Sequence, residues 1–226
     1  MKLYIANKNY SSWSLRPWVL MREKGIQFEE IIHSFSATDN FEKFRNFSPT
    51  GKVPCLEHDG HVVWDSLAIC EYLAEQYSGL WPENIAARAW ARSASAEMHS
   101  GFNHLRNQCS MNCGLRVALN GIDDGLTTEL DRLNELWSEG LTRFGGPYLA
   151  GQKFGIVDAF YAPVVFRMQT YSLKLGDQAQ AYADRLLGLP AMQQWYEDAL
   201  KETTREENHD KDSLAYGQLM SDLRAS

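Results

Sequence analysis

Residues 53–66 read VPCLEHDGHVVWDS, and the pattern of this stretch sets the fold expected for the chain. Residues 53–58 and 62–64 are short runs of apolar and β-branched residues, and the Asp59-Gly60 pair between them suits the positive φ angles of a tight hairpin turn. An antiparallel hairpin is predicted. Immediately behind it, Asp65 and Ser66 offer oxygens to the free amides of a helix start, and Leu67, Ile69, Cys70, Leu73 and Tyr77 recur near helical spacing. This predicts a helix over 65–77. Toward the N-terminus, residues 39–47 read as a short helix stopped by Ser48-Pro49, residues 28–33 as a strand, residues 14–24 as a helix ending at Gly25, and residues 3–6 as a strand. Strand, helix, strand in that order implies a parallel pair. The segment is thus a βαβ unit, a helix, then ββα, an α/β domain over residues 1–78.

Downstream the character changes. Ser78-Gly79-Leu80-Trp81-Pro82 is turn-rich, and residues 79–84 read as a linker. Beyond it no alternating strand pattern is found, and residues 85–226 are expected to form an all-α helical bundle. One long helix rich in small residues is predicted over 85–108, with others over 126–144, 156–172, 178–187 and 190–202. The charged tail after Arg205 is expected to fray or pack loosely.

The chain has 226 residues, 44% of them hydrophobic, enough to bury two modest cores. A net charge of -7 argues against nucleic acid or an anionic membrane as partner, because neither would meet a clustered positive field. The N-terminal MKLYIANKNYSSWS has no basic stretch followed by a long apolar run, so a cytoplasmic protein is expected. Cys55, Cys70, Cys109 and Cys113 match no metal-ligand spacing, and free thiols without a metal are expected.

Three motifs in this frame resemble those of cytosolic, bacterial glutathione S-transferases, in which a thioredoxin-like βαβ-α-ββα domain precedes a helical one. The first is NYSSWSLRPW at 9–18, similar to the Ser-Ser-Cys-Ser-aromatic-Arg run of the zeta class. The resemblance implies glutathione as co-substrate, with its thiolate held at the start of the first helix by Ser11 or Ser12. Counting five residues back from Arg16 selects Ser11. A helix N-terminus carries unpaired N–H groups and partial positive charge, which together with a hydroxyl would acidify the thiol. Apart from the family, the same serines read first as helix caps. The second motif, SPTGKVP at 48–54, resembles the NPxGxVP loop, which implies a cis Val53-Pro54 bond and glutathione's cysteinyl backbone held by Val53, with Lys52 near a carboxylate. In the third, WDSLAI at 64–69, Asp65 would accept from the γ-glutamyl ammonium and Ser66 would donate to its carboxylate. Trp13 replaces the family cysteine beside the thiol.

In the helical half, FGIVDA at 154–159 resembles the family's capping box, with Gly155 where Ser or Thr usually stands, so Asp158 reads as a structural cap. EMHSGF at 97–102 resembles a beta-class segment facing the cleft. His99 and Arg106, about two turns apart on one helix face, are candidates for the second substrate, as is a solvated face. The resemblance further implies a homodimer and a detoxifying transferase that joins glutathione to a small electrophile. Two alternatives stand beside it: an isomerase of the maleylacetoacetate type, and a non-catalytic binding module. The zeta-class isomerases carry an arginine where this chain has Thr170, and Arg167 lies almost a turn earlier.

Overall fold

The structure, a computed structural model, describes residues 1–36 and 38–225. β1 (Lys2–Ile5), α1 (Ser12–Glu23) and β2 (Glu29–Ile32) form the βαβ unit, the strands parallel with Leu3 beside Glu30. After α2 (Asn40–Arg45), β3 (Cys55–His58) and β4 (His61–Val63) make the expected hairpin, with Asp59 and Gly60 at φ 48° and 80°. β3 runs antiparallel to β1, so the sheet order is β2-β1-β3-β4, and α3 (Ser66–Gln76) closes the unit. Leu3, Ile5, Leu15, Val19, Leu56 and Ile69 are fully buried between sheet and helices.

The second half contains α4 (Ile85–Ser100), α5 (Asn103–Gln108), α6 (Asp124–Phe144), α7 (Ile156–Tyr171), α8 (Asp177–Leu187) and α9 (Pro190–Lys201). α7 is buried almost throughout, because its sequence is apolar on every side, and it packs against α1, α4 and α8. Asp158 in its first turn accepts from the amides of Gly155 (2.8 Å) and Leu149 (3.0 Å) and from the Tyr182 hydroxyl (2.9 Å). With glycine at the cap position, half of the capping box exists. The two halves meet at Lys8, whose buried ammonium pairs with Glu30 and Asp198, each at 2.8 Å, and lies 4.7 Å from the Trp18 ring centre. Among the described residues, no helix is long and apolar enough to cross a membrane.

Three expectations are corrected. The helix predicted over 85–108 breaks at Gly101-Phe102, where Phe102 adopts φ 59° and buries its ring against Tyr161. The new helix start is capped by Glu129 of α6, which accepts from the amides of His104 (3.1 Å) and Leu105 (2.7 Å). The half expected to be all helical also contains a ribbon, β5 (Leu115–Leu119) antiparallel to β6 (Gly217–Asp222). Leu115 and Val117 face the core, while β6 is largely exposed and so carries little apolar alternation.

The tail expected to fray is ordered as α10 (Glu207–Leu214) and β6. Arg224, with 5% of its side chain exposed, donates to Asp210 (2.6 Å), Asp222 (2.7 Å) and the Tyr10 hydroxyl (3.0 Å). Arg224→Met leaves these partners without their cation, so amide exchange across residues 207–222 should accelerate about tenfold or more, or about 1.4 kcal/mol locally. Exchange in β1 and α1 should change far less. Uniform acceleration through the chain would show that the tail is not a separate unit.

Candidate active site

Ser11 occupies the cap position of α1, but its hydroxyl makes no capping bond and instead donates to Ser14 Oγ at 2.7 Å. Ser14 Oγ in turn accepts from the Ala6 amide at 3.4 Å. The amides of Ser11 and Ser12 are bonded to Asn7 O and Tyr10 O, each at 2.9 Å, and that of Leu15 to Ser11 O. The first-turn amides of Trp13 and Ser14 thus have no partner among the described residues. A helix start with free amides beside a hydroxyl that makes no capping bond is a site for an anion.

Trp13, Lys52, Val53, Pro54, Asp65 and Ser66 line a single cavity of about 440 Å³, and the Val53-Pro54 bond is cis. Asp65 caps α3 through Oδ1, accepting from the amides of Leu67 (2.9 Å) and Ala68 (3.4 Å). Its Oδ2 lies 3.1 Å from His99 Nε2. Ser66 Oγ is buried without a partner among the described residues. Beneath the cavity floor, the Arg16 guanidinium is stacked between the rings of Trp13 (4.1 Å) and Phe160 (4.8 Å), and its nitrogens too have no partner among these residues. Burial, with Arg106 and Arg167 nearby, pushes the Arg16 pKa down.

His99 and Arg106 do not share a helix face, because the chain breaks between them. His99 lines the cavity beside Asp65. Burial holds its pKa below the ordinary value despite that carboxylate, with Arg16 and Arg106 acting in the same direction as burial. Arg106 covers the Trp13 ring at 4.8 Å and donates to the carbonyls of Gly101 (2.9 Å) and Met98.

A second cavity, about 420 Å³, opens on the other side of Trp13 and is lined by Ser11, Ser12, Tyr10, Arg167 and His209. Trp13, Lys52 and Val53 line both cavities, so the two adjoin at these residues. Sequence reasoning missed Tyr10 and His209. Tyr10 stands next to the serine motif, but His209 lies in a charged stretch with no apolar period to mark it. Thr170 is buried and donates to Asn112 O and Phe166 O. A larger hollow of about 720 Å³ lies between the linker and the start of α7, away from the α1 N-terminus, and holds no candidate residue but Asp158, whose carboxylate is already bonded. All four cysteines are buried, and burial pushes their thiols up, Cys55 to about 11 and Cys109 to about 12. No group of three metal-ligating side chains forms among the described residues.

The sequence pattern of the glutathione S-transferase N-terminal domain matches residues 10–76, and that of the C-terminal domain matches residues 88–198. The chain belongs to the glutathione S-transferase family and is a glutathione-dependent transferase. Glutathione S-transferase 1 of Dianthus caryophyllus is 29% identical over 171 residues, covering 73% of this chain and 76% of that protein. A probable maleylacetoacetate isomerase of Caenorhabditis elegans is 27% identical over 183 residues, covering 76% and 81%. Among solved structures, a glutathione transferase homologue from Burkholderia with bound glutathione superposes with a TM-score of 0.63 at 23% identity, over 88% of this chain and 96% of that one.

Proposed function

We propose that the chain binds glutathione in the cavity before α3 and presents its thiolate at the α1 N-terminus to a small electrophile in the second cavity. Ser66 carries the reading: its buried hydroxyl, without a partner among the described residues, lies beside Asp65 and Val53 in a groove that leads to Ser11. Asp65 meets the γ-glutamyl ammonium, Ser66 and the α3 amides meet its carboxylate, Val53 holds the cysteinyl backbone and Lys52 a carboxylate. Ser11 and the amides of Trp13 and Ser14 then share the thiolate, with Ser12 the alternative donor. Residues 1–78 are the glutathione-binding domain, 79–84 the linker and 85–226 the domain that supplies the electrophile's pocket.

Calorimetry with glutathione tests this directly, and several millimolar ligand without heat would exclude it. Asp65→Ala should raise the KM for glutathione about tenfold or more with kcat changed far less, because the γ-glutamyl end is remote from sulfur. A collapse in kcat at unchanged KM would reassign Asp65.

The His99 contact adds a pH dependence. His99 is neutral at pH 7, since its pKa lies below the ordinary 6.5, and it gains a proton only as pH falls through that depressed value. The resulting cation, facing Asp65 with Arg16 and Arg106 nearby, competes with the γ-glutamyl ammonium. KM for glutathione should therefore rise as pH falls through that depressed value. His99→Gln should flatten that rise, and an unaltered profile would remove His99 from the site.

A maleylacetoacetate-type isomerase is the second reading, favoured by the C. elegans relative and by Arg167 in the second cavity. A cytoplasmic, detoxifying homodimer is the third part of the proposal. Ile85, Ala86, Ala89, Ser93 and Ala96 form an exposed strip of mostly small residues on α4, suited to close helix packing. A monomer mass by light scattering would refute the dimer.

A further inference from the structure

We propose that His209, oriented by Glu206, is a general acid for the second substrate, giving its proton to the carbon that becomes basic when glutathione adds to a conjugated alkene. The proposal rests on the glutathione reading above.

α10 brings His209 to the second cavity, where its ring stacks on Tyr10 at 5.1 Å and on Phe35 at 4.8 Å. Rings stacked on it at both distances fix its plane. His209 Nδ1 lies 2.6 Å from Glu206 Oε2, and the same oxygen accepts the His209 amide at 2.8 Å. Glu206 Oε1 accepts from Asn208 at 3.0 Å. The Glu206 side chain is 3% exposed, and although burial pushes its carboxyl up, the His209 amide and ring outweigh that and hold it below the ordinary value. A buried carboxylate on Nδ1 leaves Nε2 as the nitrogen where a proton arrives and leaves. Nε2 has no hydrogen-bond partner among the described residues.

Arg167 lines the same cavity, is buried, donates to the Cys109 carbonyl, and has no carboxylate in ion-pair range among the described residues. Such a guanidinium suits an oxygen that gains charge during reaction. The other charged groups here are Lys52 from the loop before β3 and Asp212 on α10, while Asp210 is taken by Arg224, Asn112 and Tyr10.

These positions match the needs of conjugate addition. The thiolate sulfur bonds to the β-carbon, the alkene π pair moves to form an enolate, and Arg167 holds the enolate oxygen. Imidazolium Nε2 then gives its proton to the α-carbon. The thiol proton was released to water on glutathione binding, and water returns one to His209, so the sum is addition of the thiol across the double bond. Displacement of aryl chloride needs no such proton, because the electron pair leaves with chloride.

The two reactions separate the roles. Full-length protein is assayed with glutathione against 4-phenyl-3-buten-2-one and against 1-chloro-2,4-dinitrobenzene. His209→Gln should reduce kcat for the enone about a hundredfold, the low end of general acid catalysis, and at least about tenfold more than for the chloride. Glu206→Gln replaces the carboxylate that orients the ring at Nδ1 with a neutral amide, so it should lower the enone kcat about tenfold at little-changed KM, with the chloride kcat changed far less. Equal losses on both probes from either variant would overturn the proposal and leave His209 as packing for α10. Turnover of the chloride alone by the wild-type protein would overturn it as well. A wild-type protein that binds no glutathione and turns over neither probe overturns the glutathione reading and this proposal together.

Discussion

Ser11→Ala is expected to raise the pKa of protein-bound glutathione by about one to two units. One charge-assisted hydrogen bond contributes about 1.5 to 3 kcal/mol, and 1.36 kcal/mol of lost thiolate stabilisation corresponds to about one pKa unit. Without ligand the Ser11 hydroxyl donates to Ser14 Oγ at 2.7 Å, so it must turn to meet sulfur. Ser14 can then donate in the reverse sense, and the two hydroxyls form a short chain that polarises toward the thiolate. Ser14→Ala should accordingly give an intermediate shift. Ser12 lines the same cavity, but its hydroxyl is not part of the Ser11–Ser14 pair, and Ser12→Ala should shift the titration least. The measurement is ultraviolet absorbance of bound thiolate against pH, which requires no electrophile. A larger shift from Ser12→Ala would move the donor by one residue. No shift from any of the three would assign ionisation to the Trp13 and Ser14 amides.

Asp158→Ala should be the most destabilising single change proposed, at about 3 to 5 kcal/mol. Its carboxylate is 1% exposed and accepts from two amides and the Tyr182 hydroxyl. Removing it leaves three buried donors unpaired, each worth about 1 to 3 kcal/mol and not fully additive. A domain with about 5 to 15 kcal/mol of total stability would lose a large part of it. Asp158→Asn should cost roughly half as much, since an amide oxygen at the Oδ1 position still serves Leu149 and Tyr182 while its NH₂ opposes the Gly155 amide. Urea midpoints at constant m-value check both. A cost under about 1 kcal/mol for the alanine variant would mean that water replaces the carboxylate at the start of α7.

The N-terminal unit was legible because its signals are local. Asp59-Gly60 encodes its own turn, Asp65 caps the helix that begins one residue later, and the serine motif and Arg16 lie within two turns of one helix. Such patterns act over four or five residues and survive in a linear reading. Asp158 was equally legible as a cap, though Tyr182 as its third donor was not.

Elsewhere the deciding partner is remote. A helix rich in small residues gave no internal reason to stop at Ser100; the stop comes from a buried Phe102 and from Glu129, which caps the next helix from α6. β5 finds β6 about a hundred residues later, and the exposed face of β6 carries no alternation to announce it. The tail was expected to fray or pack loosely because of its charge, yet Arg224 and Asp210 neutralise each other only once both are folded against Tyr10. Local sequence therefore specifies the cavity before α3, whose residues come mainly from one contiguous unit with its own caps and turns. The second cavity is assembled from the α1 start, α7 and the C-terminal helix, segments about 200 residues apart, and burial of apolar surface between them is what brings Ser11, Arg167 and His209 to one groove.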